Sequence, residues 1–429
     1  MRRIVVIALL LMSPLAAQEE SFTLQEAVSL ALGSSHILEQ ARAVTLERES
    51  GIEVARASTR PRLGLEANGN YQTPTATAPL PGNSFEVSQN WNYRATAFLR
   101  QTLADFGRSH HQLRASVAGK EAAEASEEET RRLVALATAR AYFEALSSGA
   151  LLRISEDEVR ARLELLENSE ARVREGAAAR YDLVRSRAEL AAAEVRQSER
   201  LTQRAKDLLT LWSLTGVRLL PQEPAFSPLP PGDASGALET ALGRPEVAEV
   251  RALVEQQEQV ALTEAAENRP RLSFQSQYTR QNPVGFQLSQ QWQTGLLLEI
   301  PLYDGGLAKA RTEAAEARTA QLRSRLAETE REITLDVERA YLDFVQSSQE
   351  LEPARRSLDE AEEAHRLSKL RYEVGLSTLQ ELLDTRVALT AAHSELETTQ
   401  IALHLAWVEW LAATGQQSKF MNPGKVELP

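Results

Sequence analysis

Cysteine does not occur in this chain, which excludes disulfides and removes the residue that an acylated lipoprotein requires. Aromatic residues are scarce, 5% of 429, and the balance is rich in Ala, Leu, Glu, Gln and Arg, an alphabet that favours long helices. Beyond the N-terminus no stretch reaches 18 apolar residues, so any membrane entry is not by helices. Basic charge is in deficit: 48 Lys and Arg against 60 Asp and Glu leave a net charge of -12, which argues against nucleic acid as a partner. No nucleophile elbow, zinc motif or GxGxxG supports an exported hydrolase, and nothing in the chain calls for a cofactor.

What is present begins with an export signal. Arg2 and Arg3 precede an apolar run, Ile4 to Met12, and Pro14-Leu15-Ala16-Ala17 leads into acidic Glu19 and Glu20. The run is too short to span a bilayer, so residues 1–17 read as a cleaved signal peptide, with the cut placed to within a residue or two. The rest of the chain is built twice. Asp105-Phe106-Gly107 returns as Asp304-Gly305-Gly306, Arg140-Ala141-Tyr142 as Arg339-Ala340-Tyr341, Gly176 as Gly375 and Thr215-Gly216 as Thr414-Gly415, all at an offset of 199. Arg60-Pro61-Arg62-Leu63 returns verbatim from Arg269, but at an offset of 209, so a length change of 10 falls between the Pro and the Asp. A period this long is a duplicated structural unit rather than a solenoid repeat.

Within each copy the hydrophobic period switches. Phe22 to Ser58 is helical, interrupted at Gly33 and stopped by Pro61. After the Pro the period becomes two: Leu63, Leu65, Ala67 and Tyr71 alternate with Gly64, Glu66, Asn68 and Asn70, and Trp91 to Leu99 alternates with Asn92, Arg94, Thr96 and Arg100. The second copy repeats this with Leu272, Phe274 and Tyr278, then Trp292, Leu296 and Leu298. A hairpin over 62–103 and a shorter one over 271–302 follow, the difference lying in a surface loop. Helical hairpins then occupy 107–215 and 306–413, each with a first arm of roughly 100 Å at about 1.5 Å per residue and a reversal at Gly176 or Gly375. Gly149 and Pro353 predict a local kink or break in those first arms. The repeats span 18–220 and 237–415, joined by a Pro-rich linker at 221–236 and followed by a tail at 416–429.

The strands have the length and alternation of tilted bilayer-crossing strands, with aromatics near their ends. One chain supplies four, whereas a closed barrel needs at least about eight. Open edges in lipid are not tolerated, so the chain must oligomerise. Two chains give an interior that side chains fill; three give twelve strands and an aqueous lumen, which suits the polar strand faces.

These residues resemble the TolC-like outer-membrane factors of Gram-negative efflux and type I secretion systems. The resemblance covers nearly the whole mature chain. It rests on R-P-R-L before each hairpin, Leu302-Tyr303-Asp304-Gly305-Gly306 at a strand-to-helix junction, R-A-Y in each long helix and Tyr372-Glu373-Val374-Gly375-Leu376-Ser377 at the second turn. It implies a mainly α protein with a membrane β-barrel: a homotrimer with a 12-stranded barrel in outer-membrane lipid and a 12-helix periplasmic tunnel. The linker and tail would contribute to an equatorial belt, and the periplasmic end would dock on an adaptor joined to an inner-membrane pump. The implied function is an outer-membrane exit duct with no catalytic chemistry. The rival reading is a periplasmic coiled-coil adaptor or structural protein of an export complex, which needs a lipoyl-like β-domain that the amphipathic hairpins do not supply.

The same resemblance implies a periplasmic gate. Glu381 and Asp384 match acidic constriction residues, and their i,i+3 spacing puts both on one helix face. Tyr372 and Asp182 match a closing pair, although Asp182 equally suits the N-terminus of a helix. A basic partner expected two residues after the second Gly is missing, since Ser377 stands there, and Arg180 is the candidate replacement. The turns at Arg174, Gly176 and Ala177 and at Val374, Gly375, Leu376 and Ser377 are the implied adaptor-docking tips; the first departs from the Val-Gly-Leu pattern of the second. Three further features have plainer readings. Asp105-Phe106-Gly107 mimics a kinase signature but reads as a strand-to-helix cap, His110 and His111 point apart on a helix, and Trp407 and Trp410 pack into a neighbour or the belt.

Overall fold

A computed structural model describes residues 21–75, 77–81, 83–86, 89–224, 226–228, 234–282 and 288–417. The signal segment, most of the tail and part of the linker lie outside them. Element order is β1 (Ser21–Phe22), α1 (Leu24–Ser34), α2 (His36–Ala57), β2 (Arg62–Tyr71), β3 (Thr77–Leu80), β4 (Asn83–Glu86), β5 (Trp91–Ala104), α3 (Arg108–Arg174) and α4 (Arg180–Thr215). The second half continues with β6 (Leu220–Pro221), α5 (Ala234–Ala241), α6 (Pro245–Ala265), β7 (Arg271–Gln281), β8 (Gln290–Glu299), α7 (Leu307–Glu373) and α8 (Leu379–Ala413). The described residues fall into two compact units, one comprising those within 21–39, 129–244 and 331–417, the other those within 40–128 and 245–330.

The second of these units holds the sheet. Its four strands run β2-β5-β7-β8, every neighbouring pair antiparallel, with β2 and β8 as free edges. The register sorts side chains by face, because successive residues point to opposite sides. Leu65, Ala97, Tyr278 and Trp292 share one rung of one face, while Glu66, Thr96, Thr279 and Gln291 share the next rung on the other. Among the described residues nothing covers the apolar face: Leu63 is 81% exposed, Leu65 74% and Trp292 70%. Beneath the sheet, the helices of this unit pack through small side chains such as Ala55, Ala118, Ala122, Ala261 and Ala315, which lets axes approach closely.

Each strand-to-helix junction is closed by an aspartate. Asp105 accepts hydrogen bonds from the backbone N–H of Ser109 at 2.9 Å and from its hydroxyl, while Phe106 (φ 52°) and Gly107 (φ 106°) turn the chain in the left-handed region. Asp304 accepts from the N–H of Ala308 at 2.7 Å, from Asn268 at 2.9 Å and from the N–H of Gly306 at 2.9 Å. These donors, that of Ala308 foremost, hold its carboxyl below the ordinary aspartate range. The capping reading of Asp-Phe-Gly is therefore what the backbone uses.

In the first unit, β1 and β6 form a short parallel pair fastened to α3 by Tyr142. That side chain is fully buried and its hydroxyl donates to the carbonyls of Phe22 and Gln222; burial pushes the phenol pKa well up, keeping it a donor. Nearby, Trp407 packs on Phe226 of the linker at 5.1 Å between ring centroids, and Trp410 packs on Tyr341 at 5.8 Å.

Two expectations about breaks change. Gly33 stays inside α1, and the interruption falls at Ser35, which is extended (φ -74°, ψ 109°) and whose hydroxyl accepts from the N–H of Leu38 at 3.3 Å. A serine can start the next helix with its side chain, which Gly cannot do. The kinks expected at Gly149 and Pro353 are not breaks: α3 and α7 run through both positions. An interior proline costs about 3 kcal/mol, which here does not end a helix of 67 residues whose next residue, Ala354, is buried.

Candidate functional site

The two helix reversals lie in the first unit and share one backbone solution. Gly176 and Gly375 adopt φ 75° and 78°. At the first turn the N–H of Ala177 reaches the carbonyl of Arg172 at 2.8 Å and that of Gly176 reaches Val173 at 3.1 Å; at the second, Leu376 reaches Arg371 at 2.8 Å and Gly375 reaches Tyr372 at 3.1 Å. Both are Schellman stops, which need a residue at positive φ and so select glycine. The chain then restarts differently. Thr378 caps α8 through its hydroxyl, which accepts from the N–H of Glu381 at 3.2 Å, whereas Ala179 offers α4 no side-chain cap.

The candidate gate residues gather around these turns. Glu381 lies in the first turn of α8 and accepts from Arg371 at 3.1 Å; Asp384, one turn on, is exposed and accepts from Gln380 at 2.6 Å. The Tyr372 ring lies under the guanidinium of Arg172 at 4.7 Å, and its carbonyl accepts from the same group at 3.4 Å. Within the chain, then, the basic group beside Tyr372 is Arg172 and not Arg180. Asp182 sits in the first turn of α4, where the helix dipole favours a carboxylate, and among the described residues its side chain has no partner. Of the docking-tip residues, Val374 and Leu376 are 70% and 72% exposed, flanking Gly375, while Arg174, Ala177 and Ser377 surround the reversals without apolar bulk.

Further along the same helices is a buried ionic cluster that sequence reasoning missed. Glu158 on α3 accepts from Arg162 at 2.6 Å, from Arg386 on α8 at 2.9 Å and from Thr390 at 2.9 Å. The side chains of Arg162 and Glu158 are 1% and 5% exposed. Burial alone would raise the Glu158 pKa; the hydrogen bond from Arg386 and the charge of Arg162 outweigh it and hold the carboxyl below its ordinary range. The terminal nitrogens of Arg162 donate no hydrogen bond among the described residues, with a Glu189 oxygen 4.0 Å away. His365 on α7 completes the cluster, bonding the Thr385 hydroxyl at 3.3 Å; burial first, then the positive charges of Arg386 and Lys369, push its pKa down. One signal was available. Glu158 and Arg162 have Ser357 and Ala361 as repeat mates, so a charged pair appears on one copy only.

In the other unit, the polar sheet face forms a trough of about 510 Å³ lined by residues that include Glu66, Arg94, Phe98, Arg100, Gln277 and Gln293. His110 and His111 do not point apart: their rings meet edge-on at 5.6 Å, and His111 bonds Gln259 at 2.9 Å. Among the described residues no three His, Cys, Asp or Glu side chains form a metal cluster, and no helix is long and apolar enough to cross a membrane.

Comparison with known proteins bears on all of this geometry. Residues 27–217 and 238–416 match the family model described as outer membrane efflux protein. No curated protein sequence matches the chain. Among solved structures, the CmeC outer membrane channel of Campylobacter jejuni superposes with a TM-score of 0.81 at 18% identity, covering 92% of this chain and 86% of that one. The MtrE outer membrane channel of Neisseria gonorrhoeae gives 0.76 at 20% identity over 92% and 89%, and the outer membrane protein VceC of Vibrio cholerae gives 0.74 at 21% over 91% and 96%.

Proposed function

The chain belongs to the outer membrane efflux protein family, and we propose that it is the passive exit duct of a tripartite efflux or type I secretion system. It is an outer-membrane channel protein that extends into the periplasm. In the proposed assembly it works as a homotrimer, set against a periplasmic adaptor and an inner-membrane pump that supplies the energy. The duct makes and breaks no bonds.

One observation carries the reading: a four-stranded antiparallel sheet with an uncovered apolar face, a polar face and two free edges. In water the apolar face would be a large exposed patch; against lipid it is satisfied. Unpaired edges in hydrocarbon cost several kcal/mol per backbone group, so β8 of one chain must meet β2 of the next until the sheet closes. Three chains close it at twelve strands, a size that leaves a wet lumen. Tyr71 against Trp91, at 5.3 Å, with Tyr93 marks one interfacial belt, and exposed Phe106 and Tyr303 mark the other.

Threefold symmetry would turn Glu381 and Asp384 into rings of carboxylates narrowing the periplasmic end. Tyr372 and Asp182 would brace the closed state, and Val374 and Leu376 would offer the adaptor an apolar knob at each second turn. The proposed segmentation is a signal at 1–17, repeats at 18–220 and 237–415, a belt linker at 221–236 and a belt tail at 416–429.

Outer-membrane fractions should yield a heat-modifiable trimer that conducts ions in planar bilayers; a soluble periplasmic monomer without conductance would overturn the reading. The double variant Glu381→Gln, Asp384→Asn should raise single-channel conductance or weaken cation selectivity. Unchanged values would remove the gate assignment and leave the duct intact.

A further inference from the structure

The charge on the polar sheet face runs against the charge of the chain. Register places Arg62, Arg94, Arg100 and Arg271 on that face with only Glu66 and Glu299 as acids. Arg271 and Glu299 are direct cross-strand partners, which leaves three arginines facing one glutamate. Arg62 and Arg100 are also direct partners, a like-charge pairing that a sheet disfavours. The other direct cross-strand partners of these cations are amides, Asn68 and Gln281 for Arg94 and Gln275 for Arg100. A protein with a net charge of -12 thus gathers unneutralised positive charge on one small surface.

Those arginines are held by uncharged neighbours. Arg94 donates to Gln281 at 3.0 Å. The guanidinium of Arg100 lies 4.8 Å from the centre of the Phe98 ring. That ring in turn lies against Gly64, where a Cβ would come within 2.4 Å of it. Gly64 therefore makes room for an aromatic on a mainly polar face, and the aromatic supports an arginine. A structural role alone calls for neither a cation there nor an aromatic beneath it.

We propose that the polar strand face is an anion-favouring filter in the membrane section of the duct, recognising small solutes and cargo that carry carboxylate, sulfonate or phosphate groups. The inference rests on the channel reading. Three copies would surround one lumen with nine arginines of this set, and a narrow channel with low-dielectric walls focuses their field on whatever passes. The strand-tip segments 72–90 and 282–289 contain a single ionisable side chain, Glu86, so little charge there opposes them.

The test is the reversal potential of purified full-length trimers in planar bilayers under a KCl gradient, made in the Glu381→Gln, Asp384→Asn background so that tip charge does not dominate. That background should favour chloride over potassium, and adding Arg62→Gln, Arg94→Gln and Arg100→Gln should lower the chloride-to-potassium permeability ratio by about twofold or more, as expected for removing a ring of charge. Lysine at the same three positions should restore the ratio, and Glu66→Gln should raise it. A ratio unmoved by the glutamine set in a trimer that conducts overturns the filter while leaving the channel reading in place. Absence of conductance from the unmodified protein overturns the channel reading and the filter with it.

Discussion

The two helix reversals are copies of one design, and they have diverged in what surrounds the copied part. Both stop a 67-residue helix with a Schellman glycine. After the first, α4 begins at an uncapped alanine and, among the described residues, the Asp182 side chain has no partner. After the second, Thr378 caps α8, Arg371 holds Glu381, and some five residues beyond Glu381 Arg386 enters the Glu158 cluster. The repeat mate of Arg386 is Arg187, which instead makes a solvated pair with Glu170 at 2.9 Å. The backbone solution survived duplication because it is local. The second return helix is tied down at its start and along its length, and the first is left looser. In the proposed duct such inequality would let one helix of each pair move while the other holds.

This contrast can be tested by removing its parts, beginning with the ionic cluster. Glu158→Ala takes from the buried Arg162 its hydrogen-bonded counter-charge, leaving only a Glu189 oxygen at 4.0 Å, and should cost about 3–5 kcal/mol, whereas Arg187→Ala at the solvated pair should cost about 0–1 kcal/mol. Denaturant melts of the two variants measure the difference, and equal losses would dissolve the contrast. Gly176→Ala and Gly375→Ala should each cost about 1–2 kcal/mol, because both force a Cβ into the left-handed region; here the prediction is sameness, checked by the thermal shift of each variant. Thr378→Ala should cost about 1 kcal/mol and Ala179→Ser should recover about as much at the other turn, readable as changes in local hydrogen-exchange protection.

Acid supplies the gentlest probe. His365 has a lowered folded pKa, so the unfolded chain binds the proton first and stability falls as pH drops below the ordinary histidine value. Glu158 is a depressed acid, so its contribution is present above the ordinary carboxylate value and is lost as pH falls through the lower folded one. Two steps of loosening are expected, the histidine step first. His365→Gln should abolish that first step in a pH series of melting curves and leave the second.

Much of this was readable along the chain. The switch of period from 3.6 to 2 after Pro61 and Pro270 anticipates strands that start at Arg62 and Arg271. The αL glycines and the aspartate caps depend on neighbours a few residues away, and such signals survive in a linear text. The break falls at Ser35 and not at Gly33 because a helix tolerates an isolated glycine, while a serine can both end one helix and start another. The apolar and polar strand faces were visible as alternation, yet that Arg62 would stand beside Arg100 required the register.

The contacts that did not show in the sequence join residues far apart along it. Glu158 meets Arg386 across 228 positions, Arg172 covers Tyr372 across 200, and Tyr142 fastens carbonyls of Phe22 and Gln222 that lie on either side of it. Periodicity, turn chemistry and duplication set the elements, their lengths and the requirement that one chain cannot close its own sheet, because each follows from short-range stereochemistry and from the need to pair every backbone group in lipid. Which charges would be buried, which would be neutralised and which would share one face of the sheet was settled by folding, because a side chain's electrostatic worth depends on the neighbours that replace its water, and those neighbours come from elsewhere in the chain.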